Sequence, residues 1–135
     1  MERVFINAAR TENGYSCNCD LLEGWVVAHD GDFDSFKEYV QESIDFYLEC
    51  AREDGQDYPS VFDGDYELVY KFSVEALLAY YKGILSFSAL EKITGINQKQ
   101  LNHYAQGLKK PRPQQEEKIR SGLRNLANTL LTVTV

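Results

Sequence analysis

Hydrophobic and polar positions alternate from the start of the chain, and a period of two marks a strand with one buried face. Over residues 3–9 (RVFINAA), Val4, Ile6 and Ala8 fall on one side. Tyr15, Cys17 and Cys19 repeat the pattern, with Ser16 and Asn18 opposite. Between these runs, Asn13-Gly14 predicts a hairpin, because both residues tolerate the positive φ of a tight turn. Gly24 precedes a third predicted strand, Trp25 to His29. The period then changes. Phe33, Phe36, Val40, Ile44, Tyr47, Leu48 and Ala51 recur at steps of three and four, predicting an amphipathic helix of about 20 residues. Acidic residues between Asp30 and Asp34 suit the positive end of its dipole, and Lys37, Glu38, Glu42, Asp45 and Glu49 occupy its other face. Residues 53–65, with Gly55, Pro59 and Gly64, read as a loop. Tyr66, Leu68, Tyr70 and Phe72 then alternate as a fourth strand. The order β-β-β-α-β describes one sheet with one helix laid across it, an α+β layer.

From Ser73 the pattern is helical throughout. Ser73-Val74-Glu75-Ala76 resembles a capped start, followed at helical spacing by Leu77, Leu78, Tyr81 and Ile84. Phe87 to Thr94 (FSALEKIT) predicts a short second helix and Gln98 to about Gln106 a third. Gly95 between them supplies the turn of a helix-turn-helix. Ile96 plugs the linker, and Asn97 with Gln100 forms a capping-box pair. Leu90, Ile93, Leu101 and Tyr104 supply the buried faces. The final helix carries a stripe of Ile119, Leu123, Leu126 and Leu130 that either closes the small core or forms a dimer seam. The β-branched end, TLLTVTV, is expected to add a short strand, within the chain or across a subunit boundary. The chain thus divides into residues 1–72 and 73–135.

Composition adds bounds. At 135 residues, 44% hydrophobic and 26% charged, the chain is globular, with room for one ordinary domain or two small ones. Its apolar runs fall far short of a membrane span, and the charged start MERVFINAAR reads as lacking a signal peptide. Three cysteines are too few for a disulfide scaffold, so a reducing, cytoplasmic setting is expected. The net charge of −7 argues against nucleic acid only as an average. Residues 1–72 hold 5 Lys+Arg against 17 Asp+Glu, a net of −12, whereas residues 73–135 hold 9 against 4, a net of +5. Lys92 to Arg112 carries five basic residues and no acid. Two modules with different partners follow from that asymmetry.

The candidate chemistry is recognition. On the third helix of the second half, the face opposite Leu101 and Tyr104 shows Gln98, Lys99, Asn102, His103 and Gln106. Asn and Gln pair with adenine and Lys reaches guanine acceptors, so these five, with Asn97 at the helix start, are the base-contact candidates. Lys92, Lys109, Lys110 and Arg112 are the phosphate-contact candidates, which position a protein on DNA without reading sequence. Catalysis has no matching signal: GxSxG, HExxH and a phosphate-cradling Gly loop are all missing. Cys17 and Cys19 read as small core residues, Asp30, Asp32 and Asp34 as capping and solvation, and His29 as a strand end. Neither a metal nor a cofactor is expected. The 17 carboxylates read as a surface for a basic partner, since complementary charge steers association.

Two stretches carry a family resemblance. Residues 13–49, NGYSCNCDLLEGWVVAHDGDFDSFKEYVQESIDFYLE, resemble the HicB antitoxin pattern through Gly14-Tyr15, the turn Asp20 to Gly24, Gly31 and Tyr47-Leu48-Glu49. Leu90 to Gln106, with Gly107 and Pro111, resemble the helix-turn-helix of the Cro/repressor class. Together they cover most of residues 3–112. Two positions depart from these patterns: the turn Asp20-Leu21-Leu22-Glu23-Gly24 lacks the familiar Pro, and Glu91 stands where a small Ala is usual. The resemblance implies a truncated ribonuclease-H-like module followed by an all-α helix-turn-helix domain. It implies an antitoxin of a type II toxin–antitoxin pair whose acidic domain blocks a HicA-like basic ribonuclease toxin. The second domain would bind operator DNA as a homodimer or higher homo-oligomer. A ribonuclease H site needs carboxylates converging on metal ions, and the first strand, Val4-Phe5-Ile6-Asn7, offers none, so no enzymatic activity is expected. The competing expectations are a one-component transcriptional regulator with a ligand-sensing first domain and a metal-dependent nuclease.

Overall fold

The computed structural model describes residues 1–135 as an α+β chain with a four-stranded mixed sheet and five α-helices, in two compact units, Met1–Ser73 and Val74–Val135. In the first unit, β1 (Glu2–Arg10), β2 (Gly14–Asn18), β3 (Val26–Asp30) and β4 (Tyr66–Phe72) form a sheet in the order β3-β2-β1-β4. β4 lies parallel to β1, with Val4 opposite Leu68 and Ile6 opposite Tyr70, while β1–β2 and β2–β3 are antiparallel. One face of this sheet is covered by α1 (Phe33–Glu53), whose Phe36, Val40, Ile44, Leu48 and Ala51 are buried. The alternating residues of the strands point at that helix: Val4, Ile6, Ala8, Tyr15 and Cys17 are all buried. Each large apolar side chain so removed from water contributes about 1.5–3 kcal/mol. Phe36, fully buried, lies at the centre, with the rings of Tyr15, Phe33 and Tyr70 around it.

The ends of α1 follow from local chemistry. Asp32 is the N-cap, its carboxylate accepting from the Ser35 amide at 2.8 Å, and those Ser35 hydrogen bonds hold its carboxyl below the usual range. Trp25 precedes β3 instead of opening it; it is buried, and its indole N–H donates to Ser43 Oγ at 3.0 Å. The loop over residues 53–65 contains a 3-10 turn, Ser60–Asp63, which places Phe62 in the core. Burial pushes the Cys17 thiol up to about 12 and raises that of Cys19 as well, which suits cysteines used as small core side chains.

The expected Asn13-Gly14 turn takes a different form. No non-glycine residue has positive φ, and Gly14 is not among the glycines that do. The hairpin closes through the Thr11 amide, which donates to the Gly14 carbonyl at 2.9 Å, and the Gly14 amide, which donates to Thr11 Oγ1 at 3.1 Å. Gly14 is already the first residue of β2, paired with Asp30, and a Cβ there would stand 2.1 Å from the His29 carbonyl oxygen. Close approach of two strands, not turn conformation, requires glycine at this position.

Tyr70, on the core face of β4, buries its hydroxyl without a hydrogen-bond partner. An unmade buried hydrogen bond costs about 1–3 kcal/mol. Tyr70→Phe is therefore expected to stabilise the protein by about 1 kcal/mol, raising the midpoint of thermal unfolding by several degrees. A fall of that size in a calorimetric scan would show that the hydroxyl is used.

The second unit contains α2 (Val74–Tyr81), α3 (Phe87–Thr94), α4 (Gln98–Ala105) and α5 (Pro113–Thr132). Leu78, Leu90, Ile96, Leu101, Tyr104 and Ile119 make its core. α2 ends three residues short of Ile84, which is 68% exposed. The Tyr81 carbonyl accepts from both the Ile84 and Leu85 amides, and Gly83 follows, so the chain turns away before another helical step. No strand forms within the chain over the expected C-terminal segment. Thr129 to Thr132 complete α5, Val133 is extended, and residues 133–135 belong to no strand. Ile119 is buried and Leu123 and Leu126 half-buried, but Leu130 and Leu131 are exposed. The apolar stripe thus closes the core along its first half only.

Candidate nucleic-acid interface

Helices α3 and α4 are joined by the three residues Gly95-Ile96-Asn97, and each fixes the angle between them. Gly95 adopts φ +77°, a left-handed conformation that favours glycine, and its amide donates to the Glu91 carbonyl. Ile96 drops into the core, 3% exposed. Beside it, buried Thr94 donates to the Leu90 carbonyl at 2.7 Å and accepts from the Ile96 amide at 3.2 Å. Asn97 caps α4, its side-chain oxygen accepting from the Gln100 amide at 2.8 Å. The expected reciprocal bond from Gln100 is absent, because its amide donates instead to the Tyr104 hydroxyl at 2.7 Å. Glu91 takes over part of the capping: its carboxylate accepts from the Gln98 amide at 3.3 Å. A negative charge at a helix N-terminus is favourable, which gives the departure from a small residue here a local purpose.

With Leu101 and Tyr104 buried, α4 turns the remaining side chains outward. Gln98, Lys99 and Gln106 are exposed, and Asn102 and His103 are half-buried. Gln106 donates to Asn102 at 3.3 Å, a weak bond that a ligand can displace. Asn97 spends its oxygen on the cap and keeps only its amide donors free. Lys92 lies in the last turn of α3 and is exposed.

Lys109, Lys110 and Arg112 come together with one basic residue outside the candidates, Lys118. All three line a concavity of about 580 Å³ between α4 and the start of α5, and Lys118 of α5 lines it too. Gln100, Tyr104, Gln114 and Gln115 complete the wall, and no carboxylate takes part. The signal for Lys118 was present: Pro113 fixes the start of α5, and Gln114 and Lys118 then share a face four residues apart.

The first unit is opposite in charge. Along the outer side of α1 run Asp34, Glu38, Glu42, Asp45, Glu49 and Glu53, spaced by three and four residues. Only Lys37 on Asp34 (3.3 Å), Arg52 on Asp63 (3.8 Å) and Arg3 on Glu67 (3.5 Å) pair with this unit's carboxylates. Phe46, 67% exposed, lies on that side of α1. Phe5 and Val26, 51% and 70% exposed, lie on the open face of the sheet. His29 stacks on Tyr39 at 4.7 Å. No group of three or more His, Cys, Asp or Glu side chains is placed to hold a metal ion, and no helix is long and apolar enough to cross a membrane. No family model matches the chain, and neither a curated protein nor a solved structure matches it.

Proposed function

We propose that the chain is a non-enzymatic antitoxin of the HicB type. Its acidic first unit holds a basic HicA-like toxin, and its second unit is a helix-turn-helix that binds operator DNA and represses its own operon from the cytoplasm. The observation that carries this reading is the outward face of α4, with Gln98, Lys99, Asn102 and His103, beside an acid-free wall of Lys109, Lys110 and Arg112. The rest of the chain supports it. The β-β-β-α-β order, with one helix on one face of a mixed sheet, is compatible with a truncated ribonuclease-H-like module. The self-repelling carboxylate row on α1 weakens an isolated helix and is relieved by a cationic partner. The exposed Leu130 and Leu131 offer apolar surface to a second copy, as a two-fold operator requires.

The test has two arms. Co-expression with the product of an adjacent short basic open reading frame should yield a stable complex. Failure to recover one, with DNA binding intact, leaves a one-component regulator. For DNA, Gln98→Ala or Asn102→Ala should cost about 1–3 kcal/mol on a selected operator and relax the base preference. Lys109→Ala or Arg112→Ala should weaken all sequences alike and lower the salt slope by about 1. Titrations in which all four variants match the wild type would dispose of the DNA reading.

A further inference from the structure

Four cations converge on the concavity between α4 and α5, and none of them is within ion-pair distance of a carboxylate. Such an arrangement opposes stability unless an anion occupies it. Neutralising acids are close in sequence but face elsewhere. Neither Glu116 nor Glu117 lines the concavity; on the α5 wheel Glu116 lies about 160° and Glu117 about 100° from Lys118. Glu117 instead accepts from Ser121 at 2.9 Å and from Arg120, and these bonds hold its carboxyl below the usual range.

Three further features suit a phosphorylated anion. Tyr104, 3% exposed, presents a hydroxyl that accepts from Gln100 and so retains its own proton to donate. Helix α5, 20 residues long, opens at this wall with Pro113 in its first turn and no side-chain cap, so its positive dipole end adds to the four charges. The volume of about 580 Å³ is of ligand-site size, more than a single lysine–phosphate contact needs.

We propose that this concavity is a binding site for adjacent phosphate groups, completed by Lys118 and distinct from the base-reading side of α4. Gln100 lies on the flank of α4 between that side and Tyr104, so the backbone of a duplex seated on α4 passes over the site. The source of the phosphates, duplex backbone or a free oligophosphate, rests on the DNA reading above; the anion site itself does not.

The full-length protein, Lys118→Ala and Lys118→Glu are titrated with a labelled random-sequence duplex across a salt series, and with inorganic triphosphate by calorimetry. Lys118 is exposed, so both variants retain the core. The proposal expects the slope of log affinity against log salt to fall by about 0.9 in Lys118→Ala, and triphosphate to displace duplex from the wild type. If no duplex binds but triphosphate does, and Lys118→Glu abolishes it, the site stands with a free oligophosphate as its ligand and the DNA reading falls. If duplex binds and both Lys118 variants keep the wild-type slope, the site is overturned and the DNA reading survives. Binding of neither probe overturns both.

Discussion

Replacing Gly122 by alanine should separate α5 from α3 and lower the midpoint of thermal unfolding by 10 °C or more. Two effects of opposite sign meet at this residue. Alanine is the better helix former by about 1 kcal/mol, so on propensity alone the substitution would stabilise a helix of 20 residues. Against that, an added Cβ would stand 2.4 Å from the Ile93 carbonyl oxygen and 2.9 Å from its carbon. These are backbone atoms of α3 and cannot rotate away. Overpacking of a tight contact costs about 1–3 kcal/mol and more where the neighbour is rigid. With two rigid backbone atoms in the way the clash lies at or above the top of that range, about 3–4 kcal/mol, so after the gain of about 1 kcal/mol in propensity the net loss is about 2–3 kcal/mol. For a unit of this size each kcal/mol is worth about 4–8 °C. Asn125→Ala, on the exposed side of the same helix, is the control and should move the midpoint by less than about 4 °C, as surface substitutions do. Because Ile93 and Thr94 lead into Gly95, the same variant should also disturb the angle between α3 and α4 on which the proposed DNA binding depends. A Gly122→Ala protein as stable as the wild type would mean that the two helices do not pack as closely as described.

The fold was legible where periodicity and chemistry agreed. The helix beginning at Phe33 declared itself through Phe36, Val40, Ile44 and Leu48, because one long amphipathic element must bury one face whatever it packs against. Gly95 and Asn97 marked the end of α3 and the start of α4, since capping and left-handed turns depend on local groups alone, whereas α4 stops at Ala105, one residue before the expected Gln106. What was hidden depended on contacts distant in sequence. Gly122 sits in a polar-looking stretch, Ser121-Gly122-Leu123, and nothing nearby shows that a carbonyl of α3 lies against it. Val133 and Val135 have strand propensity but pair with no strand of the chain, so propensity alone does not make a strand. Gln100 fits the capping-box pattern, yet a buried Tyr104 hydroxyl one turn on competes for its amide and wins.

The candidate site divides along the same line. The outward residues of α4 follow from the position of Leu101 and Tyr104, which any helical wheel reveals. The concavity does not. It exists because α5 starts immediately after the Lys109–Arg112 loop and brings Lys118 back beside it. Charge counted along residues 92–112 finds five cations, of which Lys109, Lys110 and Arg112 share the wall; the fold adds Lys118 as the fourth, while neither Glu116 nor Glu117 lines it.

Gly14→Ala should be as damaging to the first unit as Gly122→Ala is to the second, for the same physical reason at a sheet instead of a helix pair. The new Cβ would lie 2.1 Å from the His29 carbonyl oxygen and 2.7 Å from the Asp30 Cα, inside any tolerable contact. β3 is an edge strand, hydrogen-bonded within the sheet only to β2, so it yields first, and with it go the His29–Tyr39 stack and the bond from the Gly31 amide to the Asn13 carbonyl at 2.9 Å. The expected loss is about 2–4 kcal/mol, at or above the ordinary range for overpacking because the obstacle is again backbone. Trp25, the single tryptophan, is 5% exposed and directly precedes β3, so its emission should shift to the red at a lower temperature or denaturant concentration. Asn13→Ala separates the two explanations of the Asn-Gly pair. Were this a turn demanding positive φ at both residues, the Asn13 variant would be costly as well. Since Asn13 keeps a negative φ, its replacement should cost less than about 0.5 kcal/mol. Equal losses at the two positions would return the pair to a turn motif and remove the strand-approach account of Gly14.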